Sequence, residues 1–202
     1  GAIENAKLVQ ALGSNWRSIF YCSFEVDSKV VEALLSLGAE VKIQQPHWHK
    51  NGMFWRFEAM RQLKPGVRVM FRDADSRILD RELAAITQWI ESNKIAHIMR
   101  DHPNHDTPIL GGLWGLSGDA AGLHITLDES HKYGTSFGDD QRFLADCIYP
   151  KIVNEALIHD SFFRYERNRR RFPTPRIDGE YVGESFDELG LYDSRLRNQL
   201  LK

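Results

Sequence analysis

Asp73 and Asp75 stand one residue apart, directly after the strand-forming run 67–71, with Arg72 and Arg77 close on either side. Two carboxylates at i and i+2 in a turn can converge on one hard cation, which takes oxygen ligands and keeps positions open for phosphate oxygens. Guanidinium groups pair with phosphate or fix carboxylates in a bidentate way. The expected chemistry is therefore a cation held against a diphosphate. A solvated turn, with the aspartates capping the next helix, is the plainer alternative, since a bare D-x-D arises often by chance. An apolar strand before the pair, and a glycine-rich stretch and second acidic cluster after it, are what a single cleft would require.

Strands and helices alternate around this turn. Ile3, Leu8, Val9 and Leu12 have near-helical spacing, with Gly13 suited to a helix end. A strand is expected over 17–26, a helix over 28–38 capped by Asp27 or Ser28, and a second strand over 39–45. A loop with Pro46, His47, Trp48 and His49 leads to a helix over 52–63. After the aspartates, Asp80 can cap a helix whose Leu83, Ile86, Trp89 and Ile90 share a face. Strands follow over 95–101 and 108–116, the latter interrupted by Gly111 and Gly112. The stretch 137–157 reads as two helical pieces divided at Pro150. Beyond Ser161 the chain becomes rich in Pro, Gly and Arg and is expected to wrap over the domain. The alternation predicts one α/β layered domain with a mainly parallel central sheet.

At 202 residues and 42% hydrophobic, the chain can bury one good core. A net charge of −2 supplies no bulk attraction for nucleic acid or acidic lipid, so any such contact needs a local patch. The dense run "RYERNRRRF" is the candidate, for a diphosphate, an anionic lipid-linked molecule or a membrane surface. Cys22 and Cys147 are too few for a disulfide framework and read as buried thiols in a reducing compartment. No apolar run approaches the roughly 18 residues of a membrane span, and the first residues lack a signal peptide's apolar core. A cytoplasmic protein is expected, at most touching the inner face of the membrane.

Taken in order, "FRDADSR", "HIMRDHPNHDTPILGGLWG", "DDQRFL" and "IHDSF" resemble a family of bacterial glycosyltransferase-like proteins with the GT-A fold, often found in surface-polysaccharide gene contexts. The likeness runs from about Gly1 to Gly183. It implies that Asp73 and Asp75 bind Mn2+ or Mg2+, which holds the diphosphate of a nucleotide-sugar donor. It further implies His159 as a third metal ligand, matched by order and by its place late in the chain. GT-A domains usually open with a strand that touches the base, whereas this chain opens on what reads as the following helix. The expected fold is thus GT-A-like, lacking its first strand.

Other side chains acquire roles from that reading. Gly111 and Gly112 would let backbone approach the donor sugar, with a β-bulge as the alternative. Asp139 and Asp140 could cap a helix, or Asp140 could serve as general base toward an acceptor hydroxyl, the resemblance centring on "DDQ". Arg100, Asp101 and His102 are candidates for contacting donor or acceptor, and Arg56 for a phosphate. A zinc site from His97, His102 and His105 is disfavoured, because no HExxH or paired Cys accompanies them. The function expected is a metal-dependent glycosyltransferase acting on a saccharide or lipid-linked acceptor. A non-catalytic nucleotide- or carbohydrate-binding module is the alternative. A D-x-D-x-T phosphohydrolase is a weaker one, since it needs Thr or Val where Arg77 stands.

Overall fold

The computed structural model describes residues 1–45, 52–134 and 136–201; Pro46, His47, Trp48 and His49 lie outside them. The chain opens with helix α1 (Ala2–Ala11), then strand β1 (Ile19–Ser23), helix α2 (Ser28–Ser36) and strand β2 (Glu40–Gln44). Asp27 caps α2 by accepting a hydrogen bond from the Lys29 amide at 2.8 Å. β1 and β2 pair in parallel, from Ile19 opposite Glu40 to Ser23 opposite Gln44. Ala6, Leu34 and Ala39 form their small core, with Cys22 packed on it as a half-buried free thiol.

The next segment, Gly52–Gln62, is helical as its sequence suggests, in the 3-10 form. In a 3-10 helix residues i and i+3 eclipse. That places Phe54, Phe57 and Met60 on one line toward the main core, where Phe57 meets Phe71, Trp114 and Phe143. Strand β3 (Arg68–Arg72), helix α3 (Asp80–Glu91), strand β4 (Ala96–Arg100), strand β5 (Leu113–Ser117) and, later, strand β6 (Ala156–Asp160) complete the regular layers.

These four strands form a second sheet, ordered β3-β5-β4-β6. β4 and β6 are parallel, but β5 runs against both β3 and β4. The sheet is mixed, not mainly parallel. Its physical reason is the connection between β4 and β5: a loop without a crossover helix can only deliver the chain back in the opposite sense. The protein is thus a mixed α/β fold with two sheets that are separate among the described residues.

On α3 the buried face is Glu82, Ala85, Ile86 and Trp89, while Ile90 is exposed. The helix is rotated from its apolar expectation because Glu82 turns inward to an ion pair with Arg72. Between 139 and 155 the chain stays helical through helix α4 (Asp139–Phe143), a π turn (Leu144–Ile148), helix α5 (Tyr149–Ile152) and a closing 3-10 turn. Pro150 lacks an N–H, and the helix widens into the π turn just before it rather than dividing. The final stretch carries one short helix, α6 (Ser194–Asn198), and is tied across the domain by single contacts.

Candidate functional site

Asp73 is the first residue past β3. Its turn is pinned from below: Ser76 Oγ donates to the Asp73 carbonyl at 3.1 Å, and Asn5 Nδ2 donates to the carbonyls of Ala74 at 3.1 Å and Ser76 at 2.7 Å. The first turns of α1 therefore hold the D-x-D segment in place. Because Arg72 pairs with Leu113 in the sheet, the residues just beyond this pair, Asp73 and Gly112, are brought together.

Gly111 and Gly112 are packed against carboxylates. A β-carbon at Gly112 would lie 2.5 Å from Asp73 Cγ and 2.8 Å from its amide nitrogen; one at Gly111 would lie 2.5 Å from Asp140 Oδ2. Real β-carbons do not approach so closely, so only glycine permits this packing. Asp73 and Asp140 consequently sit over consecutive residues of one backbone, whose α-carbons are about 3.8 Å apart. Arg56, on the 3-10 segment, forms an ion pair with Asp73 and donates Nε to the Met53 carbonyl at 3.2 Å. Five of the residues singled out in the sequence, Arg56, Asp73, Gly111, Gly112 and Asp140, are thus gathered in one place.

Asp140, in the first turn of α4, is only 3% exposed, and its Oδ1 has no hydrogen-bond partner among the described residues. Burial pushes its carboxyl above the ordinary value; the Arg56 charge opposes this and the Asp73 charge adds to it. Asp139 is engaged differently: it accepts from the Ser136 amide at 2.8 Å and pairs with Arg142, which closes the turn leading into α4.

Of the remaining residues singled out, Asp75 stays exposed in the Asp73 turn, and the others lie elsewhere or serve the frame. Asp75 is exposed; its carbonyl accepts from the Phe186 amide at 3.0 Å and from Arg77 Nη1 at 3.4 Å. Arg77 lies over the Phe186 ring, 4.9 Å from its centre. Arg72 turns away to Glu82, with Nη2 donating to Ser76 Oγ at 3.1 Å, and burial lowers its guanidinium to about 10. Arg100 is fully buried between Asp160, at 2.6 Å, and Glu166, and it also donates to the Pro108 carbonyl. Asp101, fully buried too, accepts from Arg81, Ser161, Arg176 and the Val182 amide. Both residues hold the frame, with their polar atoms committed inside it.

His159 does not join Asp73. It is buried on β6, with Nδ1 2.8 Å from His97 Nε2 and Nε2 3.0 Å from Gln88 Oε1. Burial holds its imidazole at about 4. His102 and His105 pack on Tyr181, and His105 Nδ1 accepts from the Asp101 amide at 3.1 Å. Among the described residues no three His, Cys, Asp or Glu side chains are grouped to hold a metal ion.

Residues that sequence reasoning passed over include Arg81, Glu82, Glu166 and Arg176, the buried partners of Asp101, Arg72 and Arg100. Their positions carry no periodic signal, because charged residues on helices and loops ordinarily face water. No helix among the described residues is long and apolar enough to cross a membrane. No protein-family model matches the chain, and neither does any curated protein or solved structure.

Proposed function

We propose that the protein is a metal-dependent glycosyltransferase that moves a sugar from a nucleotide-diphosphate donor to a saccharide or lipid-linked acceptor, in surface-polysaccharide synthesis. The observation that carries this reading is the convergence of Asp73, Arg56 and Asp140 on the two glycines before β5. A GT-A-like sheet lacking an interior strand would leave two separate pieces, and the β1-β2 and β3-β5-β4-β6 sheets are consistent with that.

Hard carboxylate oxygens suit Mg2+ or Mn2+, and Asp73 supplies them with its side chain 49% exposed. Asp75, whose carboxylate has no partner among the described residues, is the second donor of the turn. When bound, the cation would neutralise charge developing on the departing nucleoside diphosphate. Arg56, paired with Asp73, would supply positive charge to the donor's phosphates. Gly111 and Gly112, both buried, let the Asp140 and Asp73 carboxylates close over one short stretch of backbone.

Asp140 would act as the base. On an inverting course the acceptor oxygen bonds to the anomeric carbon, the bond from that carbon to the diphosphate oxygen breaks, and the hydroxyl proton passes to Asp140. A buried carboxylate with a raised pKa and a free oxygen suits proton acceptance. The test is calorimetric titration of UDP and GDP, with and without Mn2+, on the wild type, Asp73→Asn and Asp140→Asn, alongside donor hydrolysis. Expected are nucleotide binding that needs Mn2+ and Asp73, and an Asp140→Asn variant that binds nucleotide but turns over at least tenfold more slowly. Metal-indifferent binding, or none, would overturn the reading; metal-dependent binding without any turnover would identify a binding module.

A further inference from the structure

The segment 161–172, following β6, carries five arginines and a single carboxylate. It is held to the strand by backbone: the Arg170 amide donates to the Ile158 carbonyl at 2.8 Å, and the Asp160 amide to the Arg170 carbonyl at 2.9 Å. Arg169 is tied in as well, donating Nη1 to the Asp160 carbonyl at 3.0 Å. The one carboxylate, Glu166, points inward, where it pairs with Arg100 and accepts from Tyr149 Oη at 2.6 Å. Arg164, Arg167, Arg170 and Arg171 are left exposed, and none has a carboxylate partner among the described residues. Burying the strap's own anion leaves its exposed side-chain charge positive, in a chain whose net charge is −2, although the exposed Asp106 carboxylate accepts from the Tyr165 hydroxyl.

The same strap carries exposed rings. Phe162 and Tyr165 are 40% and 45% exposed, and Phe163 stacks on Tyr165 with centroids 5.7 Å apart. Exposed arginines and half-exposed aromatic side chains on one short strap suit a plane of anionic headgroups into which rings can insert. An extended polyanion instead favours a stripe of charge along which its backbone can run.

We propose that the 161–172 strap docks the protein on an anionic bilayer surface, a role independent of the transferase reading. Each arginine near such a surface strengthens binding roughly fivefold, so two charge reversals weaken it by well over tenfold. The test is co-sedimentation with phosphatidylcholine vesicles, with and without phosphatidylserine, for the wild type, the double variant Arg167→Glu/Arg171→Glu and a control Lys29→Glu. The Arg167 and Arg171 guanidiniums are exposed and make no hydrogen bond or ion pair among the described residues, so melting temperatures should match. The proposal expects binding only to vesicles with phosphatidylserine, loss of at least tenfold in the double variant, little change in the control, and release by salt at about 0.5 M, where screening is short-ranged. No binding to anionic vesicles, equal binding by wild type and double variant, or equally tight binding to a single-stranded RNA oligomer would overturn it.

Discussion

Removing the charge of Asp101 tests how the frame behind the site is held. Its carboxylate, fully buried, accepts from Arg81 Nε at 2.8 Å and Nη2 at 3.0 Å, Ser161 Oγ at 2.6 Å, Arg176 Nη2 at 2.8 Å and the Val182 amide at 3.1 Å. It joins α3, the ends of β4 and β6, and the C-terminal stretch in one knot. In Asp101→Asn, two largely buried guanidiniums face a neutral amide whose NH2 must point at one of their donors. Stranding a buried charge in this way costs about 3–5 kcal/mol. Arg81 keeps its stacking on Phe172, 4.5 Å from the ring centre, which argues for the lower half of that range. For a chain of this size, each kcal/mol lowers the melting temperature by roughly 2–4 °C, so a drop of about 6–16 °C is expected. Scanning calorimetry reads the drop, and amide exchange at Val182 should quicken with it. A melting temperature within about 2 °C of the wild type, with Val182 still protected, would refute the argument. Loss of nucleotide binding without loss of stability would move Asp101 into the binding site.

The two glycines should respond unequally to alanine. Gly112→Ala drives a β-carbon against the Asp73 backbone nitrogen, which cannot yield, so it should cost about 1–3 kcal/mol and weaken metal-nucleotide binding. Gly111→Ala meets only the tip of the Asp140 side chain and should melt close to wild type while slowing turnover; equal effects in melting and titration would contradict this. Stability should also fall on acidification. His97, His105 and His159 have lowered pKa values in the fold, His105 and His159 to about 4, because burial penalises the imidazolium. An unfolded histidine titrates near ~6.5, so below that pH the unfolded state binds more protons. Their stabilisation is present above about pH 6.5 and lost as pH falls toward the folded values near 4. Denaturant titrations across that window would show the fall, and a flat profile between the two limits would show that these rings remain accessible to protons.

Much of the framework was legible because local chemistry and tertiary packing agree there. Asp27 reads as a cap and is one; Gly13 and Gly38 stand past helix ends with φ of 93° and 76°. The run 52–62 reads as helical and is, its aromatics at a spacing of three packing as a 3-10 line. Where the two conflict, the sequence misleads. α3 looks apolar at Ile90, yet it rotates to bring Glu82 to Arg72. The sense of β5 depends on a loop path, and no residue pattern within that strand encodes it.

The site divides along the same physical line. A carboxylate's type and its place after a strand single out Asp73, whereas Asp140, at the start of a helix, is singled out by the resemblance carried in "DDQ". Whether an arginine serves a ligand or the frame depends on the third dimension. Arg72, beside the aspartates in sequence, is consumed by Glu82, while Arg56, far from them, reaches Asp73. Side chains alternate along a strand, so Arg72 at the end of β3 and Asp73 just after it diverge, one toward α3 and the other toward the glycines. Sequence proximity to a D-x-D turn is therefore a poor guide to its counter-charges. Glu82, whose burial no sequence pattern announces, claims the adjacent Arg72 and leaves the turn's carboxylates to an arginine from another element.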